Sequence, residues 1–113
     1  MGESTALLTD QYELTMVDAA LRSGAADRRC VFEVFARSLP GRRRYAIVAG
    51  TGRLLEALPT FRFDDDSLSF LAGRGVVDAA TRDWLAAYRF TGTIDGYAEG
   101  EVYLPGSPVL TVE

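Results

Sequence analysis

The sequence contains no histidine and a single cysteine, Cys30, in 113 residues. One cysteine excludes an internal disulfide and a cysteine-based zinc site, and we expect it to be a buried thiol in a strand. No stretch approaches the roughly 20 apolar residues that a membrane-spanning helix needs. The first four residues lack the basic start of a secretory signal. These absences favour a cytoplasmic protein.

The residues that are present are typical of a globular domain. Hydrophobic residues make up 48% of the chain and charged residues 25%, and the length suits one domain with one core. Sixteen acidic and twelve basic side chains give a formal net charge of -4. This balance argues against general affinity for nucleic acid or anionic membranes.

The first half of the chain predicts a helix followed by two strands. Asp10 can cap a helix that runs to about Ser23 and ends at Gly24. The alternation over residues 30–37 predicts a strand with one fully apolar face. Residues 45–48, which are aromatic and β-branched, predict a second strand.

The second half predicts further helices and then a strand-rich tail. Residues 53–58 form a short helical run, and Asp64 can cap a helix through residue 72 that stops at Gly73. Another helix is predicted to start at Asp78. From Phe90 onward, short β-prone segments are separated by glycine and proline. The predicted fold class is α/β, in the α+β arrangement of helix, two strands, helices and strand-rich tail.

Residues 7–16, LLTDQYELTM, resemble the N-terminal signature of the nicotinate phosphoribosyltransferases. Five later segments resemble those that follow the signature in that family, in the same order: residues 31–40, 45–50, 54–58, 61–63 and 89–113. The resemblance implies the N-terminal domain of a type II phosphoribosyltransferase, spanning residues 1–113. It also implies that the domain is incomplete and that the barrel domain is absent from this chain.

The same resemblance implies an activity. The family forms nicotinate mononucleotide from nicotinate and phosphoribosyl pyrophosphate with ATP hydrolysis, which requires Mg²⁺, in NAD biosynthesis. Its ATP coupling runs through a phosphorylated histidine, and this chain has no histidine. We therefore expect the chain alone to be inactive. A homodimer is also implied, with each active site shared between subunits.

Three substrate-binding residues follow from the resemblance. Tyr12 matches a tyrosine that stacks on the pyridine ring in the neighbouring subunit, and Asp10 matches an aspartate of the same site. Arg37 matches a basic residue that holds the phosphates of the ribosyl donor. Without the resemblance, Asp10 would be an ordinary helix cap, Tyr12 a half-buried core aromatic and Arg37 a solvated cation. No catalytic residue or metal ligand is assigned within the chain.

Other polar clusters have simpler interpretations. We interpret the arginines at residues 42–44 as a solvated loop and residues 50–52 (Gly-Thr-Gly) as a tight packing turn. The aspartates at residues 64–66 suit helix capping. Glu99 and Glu101 are interpreted as surface turn residues.

Two alternatives remain open. The chain could belong to a nicotinamide or quinolinate phosphoribosyltransferase, which share the motif core or the architecture. It could also be a stand-alone, non-catalytic module that dimerises or binds a partner through its first helix.

Overall fold

A computed structural model describes residues 4–113. Residues 1–3, which carry most of the segment considered for a secretory signal, lie outside the described residues. The chain divides into a helical unit, Met1–Arg28 with Pro59–Phe90, and a strand unit, Arg29–Leu58 with Thr91–Glu113. Each unit therefore contains two separate stretches of sequence.

The order of elements agrees with the predicted order of helix, two strands, helices and strand-rich tail. The helices are α1 (Gln11–Ser23), α2 (Thr51–Ala57), α3 (Asp65–Arg74) and α4 (Ala79–Ala87), and a 3-10 turn (Leu58–Thr60) follows α2. The strands are β1 (Phe32–Val34), β2 (Ala46–Ile47), β3 (Ile94–Gly96), β4 (Val102–Tyr103) and β5 (Leu110–Val112). The α+β fold class is thus confirmed, and residues 4–113 form no closed barrel. None of the described helices is long and apolar enough to cross a membrane.

The helical unit has a well-defined apolar core. One leucine from each of its helices is buried, Leu14 of α1, Leu71 of α3 and Leu85 of α4. The same core cluster also contains Ala6, Phe63 and Val77. Burial of these side chains is the main source of stability for the three helices, since helices of this length are marginal alone.

Aspartates cap the two later helices, as predicted. The Asp64 carboxylate accepts a hydrogen bond from the Ser67 N–H at 2.9 Å, and Asp78 accepts one from the Thr81 N–H at 2.8 Å. Hydrogen bonds from the Ser67 hydroxyl and N–H lower the pKa of Asp64. The predicted stop at Gly73 was wrong, because α3 continues to Arg74 and closes at Gly75 in the left-handed conformation, φ 62°.

The strand unit contains two small antiparallel sheets. One has the order β1-β5-β3, and the other pairs β2 with β4. In the first sheet Val34 lies opposite Leu110, and Gly96 of β3 lies opposite the same leucine. A Cβ atom at Gly96 would clash with the backbone carbonyl oxygen of Val109 and come within 2.6 Å of the Leu110 Cδ2 atom, so the close approach of these strands requires glycine.

Two expectations for the first strand were wrong. The strand covers only Phe32–Val34 instead of residues 30–37, and its apolar face is open, since Phe32 is 64% and Val34 50% exposed. Cys30 precedes the strand and is exposed. These side chains are exposed because no buried apolar layer covers them. Val48 is the only buried hydrophobic residue among the described residues of the strand unit. Alternation predicted the strand but not whether a second layer would cover it.

Candidate functional site

The start of α1 is a well-defined helix N-terminus. Asp10 occupies the N-cap position with extended backbone angles, φ -79° and ψ 146°. Its N–H donates a hydrogen bond to the Glu13 carboxylate at 3.2 Å, which is one half of a capping box. This cap sets where α1 begins and therefore places Tyr12 in the first turn of the helix.

Tyr12 lies on the surface of the helical unit and not in its core. Its side chain is 60% exposed, whereas Leu14, two residues later, is 7% exposed. Leu8 and Met16, four residues away on either side, are 84% and 60% exposed. Within α1 the spacing of four puts Tyr12 and Met16 on one side of the helix, and Leu8 lies in the bend that precedes it. An exposed aromatic ring with apolar neighbours is available to stack on a planar ligand.

The third predicted residue, Arg37, belongs to the strand unit. It lies three residues after β1, at an exposed bend, and not at the strand end that the sequence predicted. The structure thus brings Asp10 and Tyr12 together in one helical turn, and it puts Arg37 in the other unit. An exposed guanidinium is able to bind phosphate oxygens through two parallel hydrogen bonds.

The sequence analysis missed a polar network that joins α1 to α4. Asp18 is only 9% exposed, and its Oδ1 atom accepts hydrogen bonds from the Asp78 N–H at 3.1 Å and the Thr81 hydroxyl at 2.6 Å. Its Oδ2 atom forms an ion pair with Arg22 at 2.8 Å. The available signal was an aspartate on the apolar face of α1 formed by Leu14, Val17 and Leu21. A charged residue at such a position requires buried partners.

Arg22 links the two carboxylates of this network. Its Nε atom lies 3.2 Å from Asp78, in addition to the ion pair with Asp18. The pKa of Asp78 is lowered first by hydrogen bonds from Thr81 and then by Arg22. Because 64% of the Arg22 side chain is exposed, solvent screens both ion pairs. The buried hydrogen bonds of Asp18 therefore contribute more to the attachment of α1 to α4 than the ion pairs of Arg22 do.

A side chain of the same unit binds the Gly-Thr-Gly segment, in which Gly50 is the N-cap of α2 and Thr51 and Gly52 are its first two residues. The Gly50 and Gly52 N–H groups donate to the Glu99 carboxylate at 2.7 and 2.9 Å. These bonds, that of Gly52 first, lower the pKa of Glu99 below its ordinary value. The N–H groups of this segment therefore already have an anionic partner, and part of the predicted tight turn is the first turn of a helix. Glu99 was expected to be a simple turn residue, and its capping contact was missed.

A groove of about 320 Å³ also lies within the strand unit. It is lined mainly by apolar residues, Val34, Ile47, Val48, Ala49, Gly50, Thr51, Leu54, Tyr103, Val109 and Leu110. None of the residues that the sequence assigned to substrate binding lines it. Its lining carries no charged side chain, so the groove lacks the groups that would hold a phosphorylated substrate.

Charged clusters in the described part of the chain do not form a metal site. Within residues 4–113, no group of three or more His, Cys, Asp or Glu side chains could hold a metal ion. The three arginines of residues 42–44 are exposed, as expected of a solvated loop.

Comparison with known proteins agrees with the helix-start motif and the mixed fold. The family model of the nicotinate phosphoribosyltransferase (NAPRTase) N-terminal domain matches residues 7–113. Two nicotinate phosphoribosyltransferases of Mycobacterium tuberculosis, pncB1 and pncB2, are similar in sequence. The first is 65% identical over 106 residues, 94% of this chain, and the second 42% identical over 108 residues, 93% of this chain.

A solved structure agrees as well. The human nicotinic acid phosphoribosyltransferase superposes with a TM-score of 0.78 at 33% identity, over 92% of this chain and 21% of that protein. The mixed helix and strand architecture is therefore that of the N-terminal domain of a phosphoribosyltransferase. The chain belongs to the nicotinate phosphoribosyltransferase family. It spans 23% and 22% of the lengths of the two mycobacterial relatives.

Proposed function

We propose that this chain is the N-terminal part of an enzyme that forms nicotinate mononucleotide from nicotinate and phosphoribosyl pyrophosphate, with ATP hydrolysis, in NAD biosynthesis. The observation that carries the proposal is the exposed Tyr12 in the first turn of α1, within a motif that resembles the family signature. The 65% identity to a protein named nicotinate phosphoribosyltransferase supports the choice of base.

The chemistry explains why an aromatic ring is useful at this position. Loss of pyrophosphate from the ribosyl donor leaves positive charge on the ribose carbon, which the pyridine nitrogen must attack in line. A tyrosine ring stacked on the pyridine restricts the base to that orientation, and a tyrosine loses little conformational entropy on binding. We propose that Tyr12 has this role in a neighbouring subunit of a homodimer.

Asp10 and Arg37 have supporting roles in the proposal. Asp10 fixes the start of α1 and lies two residues from Tyr12, in the same site. Arg37 is exposed, and its guanidinium would bind the phosphates of the ribosyl donor. The histidine that is phosphorylated by ATP, and the Mg²⁺ that accompanies ATP, would be held by parts of the enzyme outside these residues. We expect the enzyme to work in the cytoplasm.

The proposal is tested by the base specificity of the full-length gene product. Nicotinate, nicotinamide and quinolinate are each supplied with phosphoribosyl pyrophosphate, with and without ATP, and mononucleotide formation is measured by chromatography. We expect turnover with nicotinate that ATP stimulates. Preference for nicotinamide or quinolinate would assign the chain to one of those two related enzymes instead.

The second candidate is a non-catalytic module that dimerises or binds a partner through α1. The exposed apolar side chains of Leu8, Tyr12 and Met16 favour it, because exposed apolar residues grouped at the start of a helix suit a protein interface. The position of the stop codon separates the two. A reading frame that continues into a histidine-containing domain supports the enzyme, and one that stops shortly after residue 113 supports the module.

A further inference from the structure

We infer that Asp18 is a positioning residue that fixes the orientation of α1, and thereby of Tyr12, for binding of the pyridine base. The inference rests on the proposed function, because it assumes that Tyr12 contacts the base. It adds a residue of the buried face of α1, about 120° around the helix from the proposed stacking ring at 3.6 residues per turn, whose role is to orient that ring and not to contact the base.

Asp18 makes a more directional contact than the apolar residues on the same face of α1. Leu14 and Val17 of α1 pack on the core through apolar surfaces, which are attractive but not directional. Asp18 instead accepts two hydrogen bonds from the start of α4, one from the Asp78 N–H and one from the Thr81 hydroxyl. Hydrogen bonds require defined angles, so these bonds limit rotation of α1 about its own axis.

Rotation of α1 about its axis would move the ring of Tyr12. Tyr12 lies six residues before Asp18, which is about 9 Å along a helix at 1.5 Å per residue. Because its side chain extends away from the helix axis into solvent, rotation of α1 displaces the ring more than it displaces any core residue. A misplacement of about 1 Å in a reacting complex can cost on the order of 100-fold in rate.

The hydrogen bond between Asp18 and Thr81 is buried. Thr81 is 1% exposed and Asp18 9% exposed, so the bond between them is shielded from water. Removal of the carboxylate would leave the Thr81 hydroxyl and the Asp78 N–H without this acceptor in a buried setting. The network would then rearrange, and α1 would lose its fixed angle relative to α4.

The experiment measures steady-state kinetics of the full-length enzyme with Asp18→Ala, Asp18→Asn and Thr81→Val. For Asp18→Ala we expect the KM for nicotinate to rise by up to about 10-fold, which is the full effect expected from loss of the Tyr12 ring, with little change in the KM for phosphoribosyl pyrophosphate. Asp18→Asn retains an acceptor oxygen for the Asp78 N–H and Thr81, so it should recover most of the wild-type KM. Thr81→Val removes one of the two hydrogen bonds to Asp18. Its KM for nicotinate should lie between that of the wild type and that of Asp18→Ala.

Two control variants separate positioning from stability. Leu71→Ala opens a cavity in the same core without removing any of these bonds, so it should lower the melting temperature while leaving the KM for nicotinate unchanged. Arg22→Ala removes the exposed ion pairs and keeps the buried bonds, and it should change the KM for nicotinate less than Asp18→Ala does. If Leu71→Ala raised this KM as much as Asp18→Ala does, the effect would be one of stability and the inference would be overturned.

A double variant shows whether Asp18 acts through Tyr12. In the Tyr12→Ala background, Asp18→Ala should cause no further rise in the KM for nicotinate. An equal rise in both backgrounds, or no rise from Asp18→Ala while Tyr12→Ala has its effect, would overturn the inference and leave the proposed function intact. No effect of Tyr12→Ala would refute the stacking role and this inference together. If Asp18→Ala does not fold, Asp18→Asn and Thr81→Val carry the same comparison.

Discussion

At the residue scale, Tyr12 is not explained by the stability of its own unit. It lies outside the core cluster, and its side chain is 60% exposed next to two other exposed apolar residues. Single exposed apolar side chains are common in proteins, whereas a group of three within residues 8–16 is more typical of a surface that another molecule covers. Stacking on the pyridine base across a subunit interface, as proposed, would bury the ring.

The stacking role predicts different results for two substitutions at Tyr12. In the full-length enzyme, Tyr12→Ala should raise the Kd for nicotinate by about 10-fold, because stacked aromatic pairs contribute about 0.5–1.5 kcal/mol beyond the area that they bury. Tyr12→Phe keeps the ring and should retain most of the affinity. Isothermal titration calorimetry with nicotinate measures both values.

The control for this prediction is Met16→Ala, which shortens an equally exposed side chain one helical turn away. It should leave nicotinate affinity close to that of the wild type. Equal loss of affinity in Tyr12→Ala and Tyr12→Phe, or no loss in either, would contradict stacking by the ring.

At the scale of elements, the helices differ in where their N-terminal partners come from. Asp64 and Asp78 cap α3 and α4 from the adjacent position in sequence. The first N–H groups of α2 are bound instead by Glu99, which is 47 to 49 residues away along the chain. Gly50 has φ 101°, a conformation that favours glycine. A long-range contact thus replaces the local cap.

Stability should therefore depend on pH through Glu99. Its pKa in the folded protein lies below the ordinary value of 4.5, so the charged carboxylate stabilises the fold above that pH. This contribution is lost as the pH falls through the lowered pKa. Glu99→Gln should lower the urea midpoint of unfolding at neutral pH, and the difference from wild type should shrink progressively below pH 4.5.

Glu101→Gln is the matched control in the same turn. Glu101 accepts one N–H, that of Ala98 at 2.7 Å, and glutamine can still accept a single bond. We expect a smaller change at neutral pH than for Glu99→Gln. A difference between Glu99→Gln and wild type that stayed constant into acid would show that the carboxylate charge has no part in holding the turn.

At the scale of the whole molecule, the two units differ in how they bury apolar surface. Among the described residues, the helical unit has a core of six buried hydrophobic residues, whereas Val48 is the only buried hydrophobic residue of the strand unit. Nine large hydrophobic side chains of the strand unit are exposed, namely Val31, Phe32, Val34, Phe35, Tyr45, Ile47, Leu55, Val102 and Leu104. Apolar surface of that extent is typical of regions covered in a larger assembly.

We expect residues 1–113, expressed alone, to form no nicotinate mononucleotide. The sequence has no histidine to accept a phosphoryl group from ATP, and the chain spans only 23% of the length of the relative that is 65% identical. Chromatographic assay of the purified fragment beside the full-length gene product measures this. Mononucleotide formation by the fragment, above that of a blank without protein, would contradict the expectation.

Much of the secondary structure could be predicted from the sequence because its signals are local. Asp10, Asp64 and Asp78 were identified as the starts of three helices, and all three occupy the N-cap position. The end of α3 was misassigned because Gly73 and Gly75 are both plausible stops, and the choice depends on which one adopts the left-handed conformation. The motif that contains Asp10 and Tyr12 was also recognised from local sequence.

Contacts between distant segments could not be predicted in the same way. The sequence by itself determined the order of the elements, the helix caps and the family, because caps, periodicity and motifs depend on neighbouring residues. Only the tertiary structure decided that Asp18 meets Thr81, that Glu99 binds Gly50 and Gly52, and that Phe32 and Cys30 are exposed. The physical reason is that burial and long-range hydrogen bonds depend on which segments pack together, and local sequence does not specify that packing.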